Sequence, residues 1–381
     1  MLAWAVLQTP APADLDFKDT WSKVETSITQ RFYAREARKA EMDKLFAKYG
    51  PMASAAKSKG EFDKIVNDMI AEFGDSHFSL LTDEDQGYYL MDGLANQQNA
   101  AKMPEFGVWY KETPKGYVAG MVLDGSSAMK ADIRKGDVFK TVDGQPFSPI
   151  AAFKDKPEGA TVSVIVERDG QPLTKQVEVH RDPALDMFAQ ASRDSARVIE
   201  AGGKKIGYFH LWTQASDTFR TALKNAVMGR LRDTDAFILD LRDGFGGRPE
   251  NFFEPFFMPD IVVNYGNAQR SAFGYGTQKP LIVLINEGSR SAKEVSSYML
   301  KKSGRAVLIG TTTAGHVLGT FPARLNAWAI LEIPMVDVTT DGERLEKVGV
   351  APNIRVSPEY DSSGKDLVIQ RAVDYITTGK K

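Results

Sequence analysis

Residues 281–302 read Leu281-Ile-Val-Leu-Ile-Asn-Glu-Gly-Ser-Arg-Ser-Ala-Lys-Glu-Val-Ser-Ser-Tyr-Met-Leu-Lys-Lys302. The unbroken apolar run Leu281–Ile285 is what a strand buried on both faces requires. Asn286–Arg290 is polar and loop-like. From Ser291 the apolar positions Ala292, Val295 and Met299 recur at i, i+3/i+4 spacing, which predicts a helix that stops at Gly304. A buried strand passing straight into a helix is the repeating unit of an α/β sheet. The same alternation extends on both sides. A turn at Gly202-Gly203 leads to a strand at Ile206–Leu211 and an amphipathic helix at Asp217–Leu231. A strand at Ala236–Leu241, the glycine-rich loop Gly244–Gly247 and a strand at Ala306–Ile309 complete the pattern. In such sheets, sites lie at the strand-to-helix loops.

Upstream the pattern changes twice. Residues 104–181 carry short β-rich runs at Phe106–Tyr110, Tyr117–Leu123, Val138–Val142, Thr161–Glu167 and Lys175–Val179, separated by Pro-Lys-Gly and Asp-Gly turns. Short helical pieces are expected at Ser126–Ile133 and near Ile150–Phe153. Residues 16–73 read as helices, with a capping box at Ser58-Lys-Gly-Glu61 and a stop at Gly74. The expected organisation is an N-terminal arm at 1–15, a helical lobe at 16–100, a peptide-binding β-module at 101–182 and an α/β core at 183–381.

Three separated patches bring residue types that acyl transfer needs: Gly-Asp-Ser-His at 74–77, Gly-Ser-Arg-Ser-Ala at 288–292 and Leu-Glu-Lys-Val-Gly-Val-Ala-Pro at 345–352. Ser291 opens a helix, where first-turn N–H groups lack partners and the dipole favours a developing oxyanion. Serine at such a place is also an ordinary N-cap, and Ser289 competes for that part. The adjacent glycines at 246 and 247 let backbone N–H groups approach a ligand, as an oxyanion hole requires; a plain tight turn is the alternative. His77, beside Ser76 in a loop, supplies an imidazole. Lys293 stands two residues after Ser291 and so points roughly 200° away from it on the helix.

Composition removes other classes. The 381 residues are 43% hydrophobic and 26% charged, with a net charge of −2, which gives no basic surface for nucleic acid. With no cysteine there is no disulfide framework or thiolate site, and His77, His180, His210 and His316 show no metal-ligand spacing. No metal or cofactor is expected. No run approaches the ~18 apolar residues of a membrane span. Leu2–Leu7 followed by Ala11-Pro12-Ala13 reads either as the trimmed remnant of a secretory signal peptide, hence a periplasmic or secreted protein, or as an unstructured arm that leaves the cytoplasm open.

Residues 60–357 resemble the S41 family of serine peptidases, which includes the carboxy-terminal processing peptidases and the tricorn-like peptidases. Ala236–Arg242 with Asp-Gly-Phe-Gly-Gly is similar to the family's strand and "D-L-R-x-N-x-G-G". Asn286-Glu-Gly-Ser-Arg-Ser-Ala-Lys-Glu294 is similar to "N-x-x-S-A-S-A-S-E", whose middle serine, the nucleophile, falls on Ser291. Leu345-Glu-Lys-Val-Gly-Val-Ala-Pro-Asn-Ile354 resembles "E-x-x-G-V-x-P-D-I". The β-module resembles a PDZ domain. Its Glu105-Phe-Gly-Val108 stands at the carboxylate-binding loop, and Gly136–Gly144 is similar to "G-D-x-I-x-x-V-n-G". The processing branch has a lysine base 25 residues after the nucleophile, and here that place holds His316. The tricorn-like branch uses a Ser-His pair ahead of the PDZ segment and a late glutamate, which Ser76-His77 and Glu346 match in type and order.

The resemblance implies an α/β multidomain fold, with a helical N-terminal lobe, a PDZ-like β-module and a crotonase-like α/β catalytic core. It implies a peptidase acting on protein or peptide substrates, selected by their C-termini through Phe106, Gly107 and Val108. Ser291 is the nucleophile, His77 the base, and Ser76 and Glu346 orient it. Gly246, Gly247 and Ala292 form the oxyanion hole, and His316 lines the cleft as the rival base. An imidazole of ordinary pKa predicts activity rising through about pH 6–7. The reading from a different class is an inactive PDZ/crotonase-fold module that binds peptides or hydrophobic ligands, as in interphotoreceptor retinoid-binding proteins.

Overall fold

A computed structural model describes residues 15–96, 99–259, 261–266 and 269–380, so the Leu2–Leu7 and Ala11–Ala13 segments lie outside the described residues. The central sheet has six strands in the order Ile354–Arg355, Val307–Gly310, Leu281–Ile285, Ala236–Asp240, Lys204–His210 and Arg197–Ala201. All are parallel except the last, which turns back against Lys204–His210. The strands are apolar on both sides because both faces are covered. Tyr208, Ile238, Ile282, Leu284 and Ile309 pack toward the helix Leu367–Thr378. Phe209, Phe237, Leu239, Val283, Ile285 and Leu308 face the other way, into a core shared with Phe188, Leu223 and Leu300 from the helices Ala184–Ser195, Asp217–Met228 and Ala292–Lys302.

The helical lobe comprises Phe17–Arg31, Lys39–Ser54 and Lys59–Phe73. Ser58 caps the third helix by accepting from Glu61 N at 3.1 Å, and the Glu61 carboxylate reaches back to Lys57 N at 2.7 Å. Gly74 ends it in the left-handed conformation, which glycine adopts without steric cost. The lobe is not contiguous in sequence. Ser79–Thr82 pairs antiparallel with Ala329–Val336, which pairs in turn with Gly319–Arg324. Trp328 sets its ring edge-on to Phe17 and Phe62, each at 5.8 Å. Residues 319–336, expected within the core that begins at 183, therefore complete the N-terminal lobe.

Between lobe and core, a seven-stranded sheet runs from Lys102–Glu105 to Gln171–Pro183 around its own core of Phe106, Phe139, Phe153, Val164 and Val179. The expected strand at 106–110 runs Val108–Thr113, and Lys102–Glu105 is a further strand paired with the long Gln171–Pro183. The expected helix at 126–133 is the single turn Ser127–Lys130. Val108–Thr113 lies at the edge of this sheet.

The ion network around Arg242 joins the parts. Arg242 is buried at the end of strand Ala236–Asp240, and it holds Asp240 at 2.6 Å, Glu359 at 2.8 Å and Asp366 at 2.7 Å. Lys135 of the β-module reaches Asp243 at 2.7 Å and Glu359 at 3.2 Å. Removing one member of a buried ion cluster strands the others without water or partner. Arg242→Met should thus lower stability by about 3–5 kcal/mol. Arg242→Met combined with Asp240→Leu should recover part of the loss. Urea unfolding of both variants measures this, and a loss under about 1 kcal/mol in the single variant would show the network to be dispensable.

Candidate active site

Ser291 occupies the turn between strand Leu281–Ile285 and helix Ala292–Lys302, at the end of the sheet where the parallel strands finish. Its backbone sits at φ 60°, ψ −130°, a conformation that costs a non-glycine residue on the order of 1–3 kcal/mol and persists only where neighbours enforce it. The neighbours are visible. Ser291 N donates to His316 O at 2.8 Å, and the Glu294 carboxylate accepts from the same N–H at 3.2 Å. Glu294 is fully buried and also accepts from Thr313 Oγ1 at 2.6 Å, Gly315 N at 2.7 Å and His316 N at 2.8 Å. This carboxylate locks the serine turn to loop 313–316.

Gly246 backs the serine. A Cβ there would stand 2.6 Å from Ser291 Oγ and 2.7 Å from Ala292 N, so no larger residue fits. Gly247 is likewise closed to a side chain, because its Cβ would lie 2.2 Å from Gln214 O. The short strand Phe245–Gly247 pairs with Thr213–Gln214, and Thr213 Oγ1 donates to Gly246 O at 2.8 Å. Lys293 is buried, and its Nζ donates to Asp243 O at 2.7 Å. Burial pushes its ammonium down to about 7. It is a prop under the glycine loop.

Ser76 and His77 follow the Gly74 cap, and Glu346 comes from the far end of the chain. Ser76 Oγ donates to Glu346 Oε2 at 3.0 Å and lies 3.0 Å from His77 Nδ1. Since the hydroxyl proton goes to the carboxylate, the hydroxyl oxygen must accept from His77 Nδ1–H. That leaves Nε2 unprotonated and able to take a proton. Glu346 is itself buried and fixed by Val317 N at 2.7 Å, while its Oε1 has no partner among the described residues. His77 is held at φ 55°, a second strained residue. Burial pushes His77 down to about 3, and the charges of Arg290 and His316 add to the effect. The expected ordinary pKa is thereby corrected, because the ring is desolvated and faces cations. His316 is exposed and is lowered by burial and by Arg290. Among the described residues neither imidazole hydrogen-bonds Ser291 Oγ; loop 316–317 links the two groups, His316 O accepting from Ser291 N and Val317 N donating to Glu346.

The Glu105–Val108 loop lies apart from this cluster. Phe106 and Val108 are buried in the module's core. The Phe106 and Gly107 carbonyls accept from Ala128 N and Leu123 N, each at 2.9 Å, and a Cβ on Gly107 would meet Ser126 at 2.0 Å. The edge of strand Val108–Thr113 is already filled: the Gln86 amide donates to Val108 O and accepts from Tyr110 N, both at 2.9 Å. The cavity before the loop, about 440 Å³, is lined by six acids, Glu105, Asp124, Glu178, Asp182, Asp186 and Asp194, against the basic Lys130, His180 and Arg193. Burial pushes Glu105 up to about 7, against the Gly107 N–H that it accepts. Acids outnumber bases in this lining, which makes it a poor seat for a peptide carboxylate. Among the described residues no cluster of His, Asp and Glu could hold a metal ion, and no helix is long and apolar enough to cross a membrane.

Sequence reasoning gave no role to Glu294, Arg290 or Gln86. Glu294 had a signal, the Ser-x-x-Glu pattern of a capping box, but that pattern predicts only a helix start. Arg290 stands where the quoted motif has alanine. Nothing in the local sequence marks Gln86.

Comparison with known proteins follows this geometry. A family model described as peptidase family S41 matches residues 205–356. A carboxyl-terminal-processing protease of Picosynechococcus is 26% identical, over 84% of this chain and 80% of its own length. The chloroplastic C-terminal processing peptidase of Tetradesmus obliquus is 27% identical over 62% of this chain, which spans about half (55%) of that relative. In fold, the chain is similar to the tricorn protease, with a TM-score of 0.58 and 19% identity over 96% of this chain and 37% of that one. It is also similar to a photosystem II D1 C-terminal processing protease, with a TM-score of 0.55 and 20% identity over 93% and 96% of the two chains. Residues 205–356 thus match peptidase family S41, and most of the chain is similar to carboxyl-terminal-processing proteases.

Proposed function

We propose that the chain hydrolyses peptide bonds in protein or peptide substrates by a Ser-His-Ser-Glu mechanism, on a crotonase-like core flanked by a PDZ-like module. One observation carries the reading. A serine strained into a strand-to-helix turn adjoins an imidazole whose Nδ1 is committed, through Ser76, to the Glu346 carboxylate.

Ser291 Oγ attacks the scissile carbonyl as His77 Nε2 takes its proton. Substrate binding closes the remaining gap, since catalytic hydrogen bonds are often long before the substrate arrives. The proton then passes to the leaving amine. Ser76 and Glu346 keep the ring in the right tautomer and stabilise its cation. The N–H groups of Ala292 and the Gly246-Gly247 loop meet the oxyanion, and their fixed positions need no reorganisation. His316 lines the cleft beside the serine turn. Relatives that include a chloroplastic enzyme fit a periplasmic or secreted location.

Ser291→Ala should abolish fluorophosphonate labelling and peptide cleavage while the far-UV spectrum is kept. His77→Ala should cost on the order of 10³-fold or more in kcat, and His316→Ala should act mainly on KM. The opposite ranking would make His316 the base. The pH dependence follows from the sign of the His77 shift. The active form is the neutral ring, which with a pKa of about 3 is already dominant at pH 5, so kcat/KM should show no inflection near pH 6.5. For stability, an unfolded histidine binds a proton below about 6.5 whereas the folded one stays neutral down to about 3. Stability is thus lost as pH falls through that window, by about 2 kcal/mol between pH 6.5 and 5 from this group. Urea unfolding at the two pH values should show a shallower loss in His77→Gln; parallel slopes would mean that the ring is not desolvated.

A further inference from the structure

Arg290 directly precedes Ser291, so the turn that fixes the serine also fixes the base of this side chain. Its guanidinium lies over the Phe245 ring, 4.7 Å from the centroid, and Phe245 adjoins the Gly246 that backs Ser291 Oγ. Its charge acts on His77 and on His316. The cation therefore sits among the nucleophile's turn, the glycine loop and both imidazoles.

Among the described residues, no carboxylate pairs with this guanidinium and no hydrogen bond reaches it. The two acids that feel its charge are occupied elsewhere. Glu332 accepts from Ser79 Oγ at 3.2 Å, and Glu294 already holds four donors. The Arg290 residue is partly exposed, yet most of its side chain is withdrawn from water, and burial works against its charge. A guanidinium offers five N–H donors in a planar fork that matches a carboxylate. Left unmatched in a desolvated cleft, those donors are a standing cost that an incoming anion removes.

We propose that Arg290 receives a carboxylate of the substrate next to the scissile bond, making this a peptidase selective for acidic side chains or a free C-terminus at that place. The proposal rests on the serine-peptidase reading and names its substrate class. The alternative receiver, the Glu105–Val108 loop, faces a cavity in which six acids outnumber Lys130, His180 and Arg193. Burial is the main reason His77 is weakly basic, and a docked carboxylate offsets the part that the Arg290 charge adds. The right substrate then strengthens its own general base, and part of the discrimination falls in kcat.

The test uses the full chain and peptides whose cut site is first mapped by mass spectrometry. One pair differs only as Glu against Gln beside the scissile bond; a second differs only as free acid against amide at a nearby C-terminus. The wild type should favour the charged member of at least one pair by about 10- to 100-fold in kcat/KM, and the responding pair identifies the source of the carboxylate. Arg290→Gln should collapse that ratio toward unity, and Arg290→Glu should turn the preference toward a Lys-bearing peptide. Should Arg290→Gln lose fluorophosphonate labelling, Arg290→Lys is read instead and should keep part of the ratio. The proposal is overturned by a wild type indifferent to charge, or by Arg290→Gln slowing acidic and neutral peptides equally. It is also overturned by a labelled Arg290→Lys with no preference. An unlabelled wild type would remove the peptidase reading as well.

Discussion

A buried carboxylate that accepts four hydrogen bonds governs the geometry of the candidate active site. Glu294 binds Ser291 N on one side and Thr313, Gly315 and His316 on the other. Glu346 continues the same loop by taking Val317 N. Two carboxylates thus grip four residues of loop 313–317, through the Thr313 hydroxyl and the N–H groups of Gly315, His316 and Val317. Carboxylate hydrogen bonds of this kind are strong where water is scarce, and their directions leave little freedom. The strain at Ser291 persists because this set of bonds over-determines it.

The electrostatic character of the cleft follows from that burial. His77, Lys293, Glu294 and Glu332 are all shifted toward their neutral forms, chiefly by desolvation. Arg290 cannot respond by releasing its proton and so keeps its charge in this surrounding. In a centre so withdrawn from water a fixed cation acts over a longer distance than at an exposed surface.

Much of the architecture was legible in the sequence because the signals were local. Leu281–Ile285 and Ala236–Leu241 could only be doubly buried strands, and Ser58-x-x-Glu61 with Gly74 bounded a helix at both ends. The candidate site was legible in residue types and in their order along the chain. The rest lay in long-range pairing. Gln86–Asn96 and Ala184–Ser195 were not foreseen as helices, and Ala329–Val336 was not foreseen as a strand of the N-terminal lobe, because its partner lies some 250 residues earlier (Ser79 with Glu332). The pKa of His77 was also beyond reach, since it depends on burial and on the Arg290 charge, and neither is a property of the 74–77 patch.

The late strand in the early lobe bears on how the molecule is made. Helices Phe17–Phe73 cannot close their core until residues 323–333 have left the ribosome, and Ser76 cannot find its carboxylate until 346 has followed. Domains with such distant pairings fold slowly and late. During synthesis the strand and helix that flank Ser291 can form while His77 still waits on an open lobe. The candidate site therefore stays unassembled on the nascent chain until residue 346 has emerged.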